Sequence, residues 1–321
     1  MPITLAEAKV GMADKVDQNV VDTFRRSSLL LDNLVFDNAI APGTGGSTLA
    51  YGYIQLQTPS TASVRTINSE YTAGEAKRTE KTSKAVVMGG KFQIDRVLIG
   101  TAGAVDELAF QAEEKIKATS NYFNNLTING NSASTGSGVV NTFDGLDKLL
   151  TGKETEITSQ VDVSTSALMD TNYNALLDEV DAFLSTLDGK PSMLLMNNKM
   201  LTKMRSAARR AGYYASTRDE FGRVVETYND IPMYDLGKYY NGTNTVDIIP
   251  TTEGKSDIYA VSIGLDGFHG ISPTGSKVIS SYMPDLNAPG AVKDGEVELV
   301  AGVVLKNTNK AGVLRGVTIE A

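Results

Sequence analysis

Cysteine and tryptophan are absent from this 321-residue chain, and histidine occurs once, at His269. Without cysteine there are no disulfides, no thiolate nucleophile and no sulfur-based metal site. The lone histidine sits in the glycine-flanked stretch GLDGFHG and reads as an ordinary loop residue, not a catalytic base. No apolar run approaches the roughly 20 residues that span a bilayer. The opening MPITLAEAKVGMADKV lacks the basic end and apolar middle of a signal peptide, so the chain is expected to be made and kept in the cytosol. Positive charge is also in deficit: 38 acidic residues against 30 basic ones give a net charge of −8. Such a chain has no general attraction to nucleic acid or to anionic lipid.

What is present is ordinary globular material, 41% hydrophobic and 21% charged, long enough for two lobes. Residues 1–47 read as an arm, with Val16, Val20, Val21 and Phe24 at helical spacing before Pro42 and the run GTGGS. From residue 48 to 98 the period becomes two. TLAYGYIQLQ and KTSKAVVMGGKFQIDRVL predict the outgoing and returning legs of a long β-hairpin, joined by a polar tip without an apolar stripe. A leg of about 20 residues would reach on the order of 60 Å, and a two-stranded hairpin is marginal in water. One this long needs something else to lie on.

Residues 101–127 predict a long helix, with Val105, Leu108, Ala109, Ala112, Ile116, Thr119, Phe123 and Leu126 on one face. Behind it comes INGNSASTGSGVVNTFDGLDKLL, where Gly130, Gly136 and Gly138 suggest a hinge of unusual backbone angles. A second lobe follows. Its first helix, MDTNYNALLDEVDAFLSTLDGKP, is expected to be capped by Asp170 or Thr171. SMLLM is a buried strand, and Asn197 or Asn198 caps NKMLTKMRSAARRAG. Short strands with turn signals fill the remainder, ending in a strand pair within EVELVAGVVLKNTNKAGVLRGVTI.

No motif assembles into an active site. GTGGS has no following Lys-Ser/Thr, and Gly136-Ser-Gly138 lacks the third glycine and the strand–helix context of a phosphate loop. HExxH and EF-hand patterns are missing, so neither a metal nor a cofactor is expected. Carboxylate pairs are plentiful, which leaves a small carboxylate-dependent hydrolase as a distant alternative. The densest charge feature is EAKRTEKTSK, in which Lys77, Arg78, Lys81 and Lys84 are interleaved with Glu75 and Glu80. The carboxylates offset the bases too well for nucleic acid. Mixed charge on a protruding hairpin suits salt bridges to a neighbouring subunit.

The order of these parts resembles the HK97-type major capsid proteins of tailed double-stranded DNA bacteriophages. SEYTAGEAKRTEKTSKAVVMGGKFQIDRVL is similar to the returning leg of that family's extended loop. NYFNNLTINGNSASTGSGVVNTFDGLDKLL resembles the end of its spine helix and the entry to its next lobe. SMLLMNNKMLTKMR, then GYY and DIPMYDLG, resemble its axial-domain strand, capped helix and later strand.

The resemblance implies an α+β fold in five parts. These are an N-terminal arm (1–47), an extended loop (48–98), a spine helix with the first part of a peripheral domain (99–144), an axial domain (145–250) and further peripheral strands (251–321). It also implies a non-enzymatic protein, made in the host cytoplasm, that assembles into pentamers and hexamers of an icosahedral virion shell. The shell would enclose double-stranded DNA without sequence-specific binding and without a membrane, and would meet a portal. Because the sequence opens directly before the arm, scaffolding is expected from a separate protein. Some members join subunits through Lys–Asn bonds; Lys77, Lys81 and Lys84 lie in the corresponding loop, but a covalent link is not part of the expectation. An encapsulin-type shell around an enzyme cargo is the alternative on the same fold.

Overall fold

A strand that is apolar at every position needs cover on both faces, and Met193–Met196 has it. The computed structural model describes residues 29–38, 40, 49–101, 107–133, 142–212, 215–218, 224–273 and 278–320. Within them Met193–Met196 sits inside a seven-stranded sheet. The strand order is Glu156–Thr158, Ala311–Thr318, Lys255–Val261, Met193–Met196, Ile231–Asp235, Val224–Tyr228 and Ala215–Arg218. Side chains alternate between faces. Leu195, Tyr259, Val261 and Val313 enter one core, while Leu194, Met196, Ile258, Ala260 and Leu314 enter another.

The second core is closed by the helices Ser166–Ser185 and Asn198–Ala211. The first of them starts earlier than its sequence suggests. Thr165, not Asp170 or Thr171, is the cap, its hydroxyl accepting the Leu168 N–H at 3.2 Å. The reason is Met169, which is 2% exposed and draws the first turn into the core. Asn197 caps the second helix as expected, accepting the Met200 N–H at 2.8 Å. Gly212 ends it with φ 78°, the left-handed turn glycine tolerates. Asn229 and Asp230, at φ 52° and 57°, form the tight turn that joins the next two strands.

The other core lies between this sheet, a five-stranded sheet and the long helix Glu107–Asn129. Val292–Leu305 is the centre of the five-stranded sheet. Val86–Asp95 pairs with one of its edges, and Ile279–Tyr282 and Phe268–Ile271 pair with the other. Phe36–Asp37 adds a short parallel strand. On the long helix Ala112, Phe123 and Leu126 are buried as the spacing predicts, whereas Val105 falls outside the described residues. From Thr119 onward burial extends almost all round, with Tyr122, at 42% exposure, and Asn129 as the exposed residues. Side-chain amides there serve main-chain carbonyls: buried Asn121 donates to Lys238 O at 2.6 Å and the more exposed Asn129 to Ile248 O at 2.7 Å.

Three expectations change. The C-terminal segment 251–321 is not confined to one lobe, because Lys255–Val261 and Ala311–Thr318 are inner strands of the seven-stranded sheet. Without Lys255–Val261 the apolar strand Met193–Met196 would be left with an open edge. The returning leg KTSKAVVMGGKFQIDRVL is likewise not one strand. It divides at Ala85, where the sequence turns from polar to alternately buried Met88, Phe92 and Ile94. The hairpin strands Ala50–Thr58 and Lys77–Lys84 are nine and eight residues long, or roughly 30 Å, half the expected reach. Finally, His269 lies in a strand and is fully buried. Its neighbouring glycines mark close packing, not a loop. A Cβ at Gly270 would sit 2.4 Å from the Phe36 ring, and one at Gly267 would sit 2.7 Å from Ser262 O.

Candidate assembly surface

The hairpin is fixed at its root and bare beyond it. Tyr51 and Ala85 are buried with Ile40, Ile271 and Val304 in a small cluster of their own. The Tyr51 hydroxyl donates to Asp37 Oδ2 at 3.0 Å, Ser83 donates to Val303 O at 2.8 Å, and Gln55 donates to Lys306 O at 2.6 Å. The Lys306 ammonium lies 5.3 Å from the Tyr51 ring centre, and the ring meets His269 edge-on at 5.9 Å. Burial raises the phenol pKa of Tyr51 and lowers the imidazole pKa of His269. Neither ring nitrogen of His269 has a well-formed hydrogen bond. The Tyr53 pKa is raised by burial and by the carboxylate of Asp144.

Every residue from 56 to 78 is exposed. The tip nevertheless has local order that the sequence reading did not find. Ser69 N–H donates to Thr66 O at 3.2 Å around Asn68 at φ 67°. Arg65 lies over the Tyr71 ring at 5.4 Å and donates to Ser69 O at 3.1 Å. Arg65 and Tyr71 meet because the chain turns back between them at 66–69, which hydrophobic periodicity does not signal. Val64 and Ile67, at 100% and 90% exposure, find no cover among the described residues.

Glu75, Lys77, Arg78, Glu80, Lys81 and Lys84 are all exposed along this arm. None of the six has an ion-pair partner among the described residues. In the strand Lys77–Lys84, basic residues outnumber the single carboxylate Glu80. One face carries Arg78, Glu80, Thr82 and Lys84 with their partners Leu56, Ile54, Gly52 and Ala50. Ile54 and Leu56 are 69% and 61% exposed there.

Of the three hinge glycines, Gly136 and Gly138 lie outside the described residues. Gly130 does not adopt a left-handed backbone; what it needs is space. A Cβ there would fall 2.4 Å from Leu126 O and 2.5 Å from Phe143 O. Gly145 N–H donates to Gly130 O at 2.8 Å, so the chain leaves the helix and returns in direct backbone contact with itself. Phe143 and Leu146 then enter the core.

One cluster of three carboxylates is tied to a single cation. Arg315 binds Asp147 at 2.5 Å, Asp257 at 3.4 Å, and Glu156. Tyr259 donates to Asp147 at 3.2 Å. Burial raises the Asp257 pKa, against the Gly316 N–H and Arg315, which favour the charged form. Three carboxylates converging on a guanidinium form a structural tie between the strands Glu156–Thr158, Lys255–Val261 and Ala311–Thr318. Among the described residues no group of His, Asp and Glu could hold a metal ion, and no helix is long and apolar enough to cross a membrane.

A family model described as SU10 major capsid protein matches residues 61–234, more than half of the chain. No curated protein matches the sequence significantly. Several solved shells share the fold. The holo-SrpI encapsulin complex of Synechococcus elongatus PCC 7942 is 13% identical with a TM-score of 0.68, over 99% of this chain and 97% of that one. The capsid of Myoviridae phage XM1 is 14% identical with a TM-score of 0.61, over 95% and 97%. A chain of Mycobacterium phage Bobi is 13% identical with a TM-score of 0.59, over 100% of both. At such identities the likeness is one of fold, the HK97-type α+β arrangement the sequence resembles.

Proposed function

The chain belongs to the SU10 major capsid protein family, and from that premise we propose how labour is divided within a shell-forming subunit. As a capsid protein it assembles with copies of itself into the icosahedral shell of a virion. Residues 48–98 act as the extended loop that reaches a neighbour, and residues 1–47 as an arm doing the same. The long helix and the five-stranded sheet form the peripheral part. Residues 145–250, completed by Lys255–Val261 and Ala311–Thr318, form the axial lobe at the fivefold and sixfold centres.

One observation carries this reading: residues 56–78 are exposed without a break, on a hairpin fixed only at its root. A two-stranded ribbon with no cover is marginal alone, so its surface is completed by another subunit. Glu75, Lys77, Arg78, Glu80, Lys81 and Lys84 supply the polar part of that contact. A separate scaffolding protein directs assembly, a portal occupies one vertex, and double-stranded DNA fills the shell without sequence-specific contacts. The acidic balance of the chain favours loose containment.

Expression of the full chain, followed by size-exclusion chromatography and negative-stain microscopy, tests the reading. Capsomers or closed particles are expected. A well-behaved monomer at all concentrations would contradict it. Nuclease-protected DNA in particles from infected cells supports a genome as content, whereas a co-purifying enzyme would favour the encapsulin alternative.

A further inference from the structure

Between the long helix Glu107–Asn129 and the small hairpin of Lys238–Tyr240 and Thr245–Asp247 lies a mostly apolar pocket of about 320 Å³. The helix lines it with Lys115, Ala118 and Tyr122, spaced by three and four residues and therefore on one face. The hairpin lines it with Lys238 and Tyr240, two residues apart and so on one face of their strand. Two bonds set these walls. Asn121 donates to Lys238 O at 2.6 Å and ties the hairpin to the helix, and the Tyr240 hydroxyl donates to Gly242 O at 2.9 Å. The volume falls at the small end of the range for ligand pockets.

The charges around the pocket are settled except for one. Glu114 accepts from Lys117 at 3.5 Å, and Lys238 faces Asp247 at 3.4 Å. The Lys115 ammonium has neither an ion-pair nor a hydrogen-bond partner among the described residues. Carboxylates are not scarce in a chain with 38 acidic residues against 30 basic ones, yet none is placed on this lysine. Its stem is nevertheless held. A Cβ at Gly90 would lie 3.2 Å from Lys115 Cδ and 3.3 Å from its Nζ, so the bare glycine makes room for the lysine against the strand Val86–Asp95. A positioned cation beside two partly exposed phenol rings calls for an anion with a flat apolar body.

We propose that this pocket binds a small aromatic carboxylate, its ring against Tyr122 and Tyr240 and its carboxylate on Lys115. A nucleotide fits less well, because its phosphate carries about two charges and a single free cation is there to meet them. A ligand seated across the gap braces the hairpin on the helix and stabilises the subunit by mass action. The inference is independent of the capsid reading, since every residue in it belongs to one subunit.

The test titrates dissociated full-length subunits with naphthoate, with its neutral amide naphthamide and with dAMP, by calorimetry and thermal melting. Saturable one-to-one binding of naphthoate is expected, with a Tm that rises with its concentration. Naphthamide should bind about tenfold more weakly, for want of one charge-assisted bond. Lys115→Met keeps the length of the stem; it should weaken naphthoate by about the same factor and leave naphthamide unchanged. Tyr122→Ser should weaken both ligands. If that variant melts early, Tyr240→Ser tests the same wall on the more exposed ring. Absence of saturable naphthoate binding, equal affinity for acid and amide, or naphthoate binding untouched by Lys115→Met would each overturn the proposal. So would dAMP binding more tightly than naphthoate.

Discussion

Replacing Asn197 by alanine removes two kinds of bond from one buried site. Its Oδ1 accepts the Met200 N–H at 2.8 Å and caps the helix Asn198–Ala211. Its Nδ2 donates to Ser256 Oγ at 2.8 Å, Thr251 Oγ1 at 3.1 Å and Ile249 O at 3.2 Å. Loss of the cap costs about 1 kcal/mol. The two hydroxyls can rotate to other partners, but the Ile249 carbonyl, on a residue 1% exposed, cannot. Leaving such a group unsatisfied costs about 1–3 kcal/mol. The total expected for Asn197→Ala is therefore about 2–4 kcal/mol. Urea denaturation of dissociated subunits, followed by far-ultraviolet circular dichroism, measures it. Asn197→Ser keeps a capping oxygen and should recover part of the loss, whereas Asn197→Asp keeps the cap but sets an acceptor against Ile249 O and should recover little. An Asn197→Ala variant within about 0.5 kcal/mol of wild type, the range of ordinary surface changes, would refute the reasoning.

Two further predictions concern pH. Burial tends to raise the Glu156 pKa, but the Gly152 N–H and the Arg315 guanidinium outweigh it and hold the carboxyl below its ordinary value. Its contribution is complete above the unfolded value of about 4.3 and is lost as pH falls through the lower folded value. Glu156→Gln should flatten that acid limb in subunit melting curves; an unchanged limb would count against the Arg315 tie. His269 works in the other direction. Burial, helped by Lys306 and opposed by Asp37 and Asp266, depresses its pKa. The unfolded chain therefore takes up the proton first, and stability declines as pH drops below about 6.5. His269→Leu should remove that decline, and superimposable pH profiles for variant and wild type would disprove it.

Local patterns were legible where a residue's job is local. Asn197 as a cap and SMLLM as a doubly covered strand follow from side-chain chemistry and from the absence of alternation. The polar hairpin also declared itself, because KRTEKTSK has no apolar face to bury. The division of that leg at Ala85 was less visible, since it depends on Val292–Leu305 arriving from two hundred residues away. Sheet order failed for the same reason: nothing near Ala311–Thr318 says that it lies between Glu156–Thr158 and Lys255–Val261. Glycine misled twice. Around His269 and at Gly130 it allows close packing of backbone or ring, a use that composition alone cannot distinguish from a loop.

Asn129 and Asn197 grip successive carbonyls, those of Ile248 and Ile249, one from the end of the long helix and the other from the cap of the helix Asn198–Ala211. A single stretch of main chain is thereby clasped by both halves of the subunit. Tilting one half against the other loads these two bonds together, and neither half can turn without dragging the shared segment with it. The 248–249 segment is thus a polar tie between the two halves, set beside the apolar core that both sheets share with the long helix.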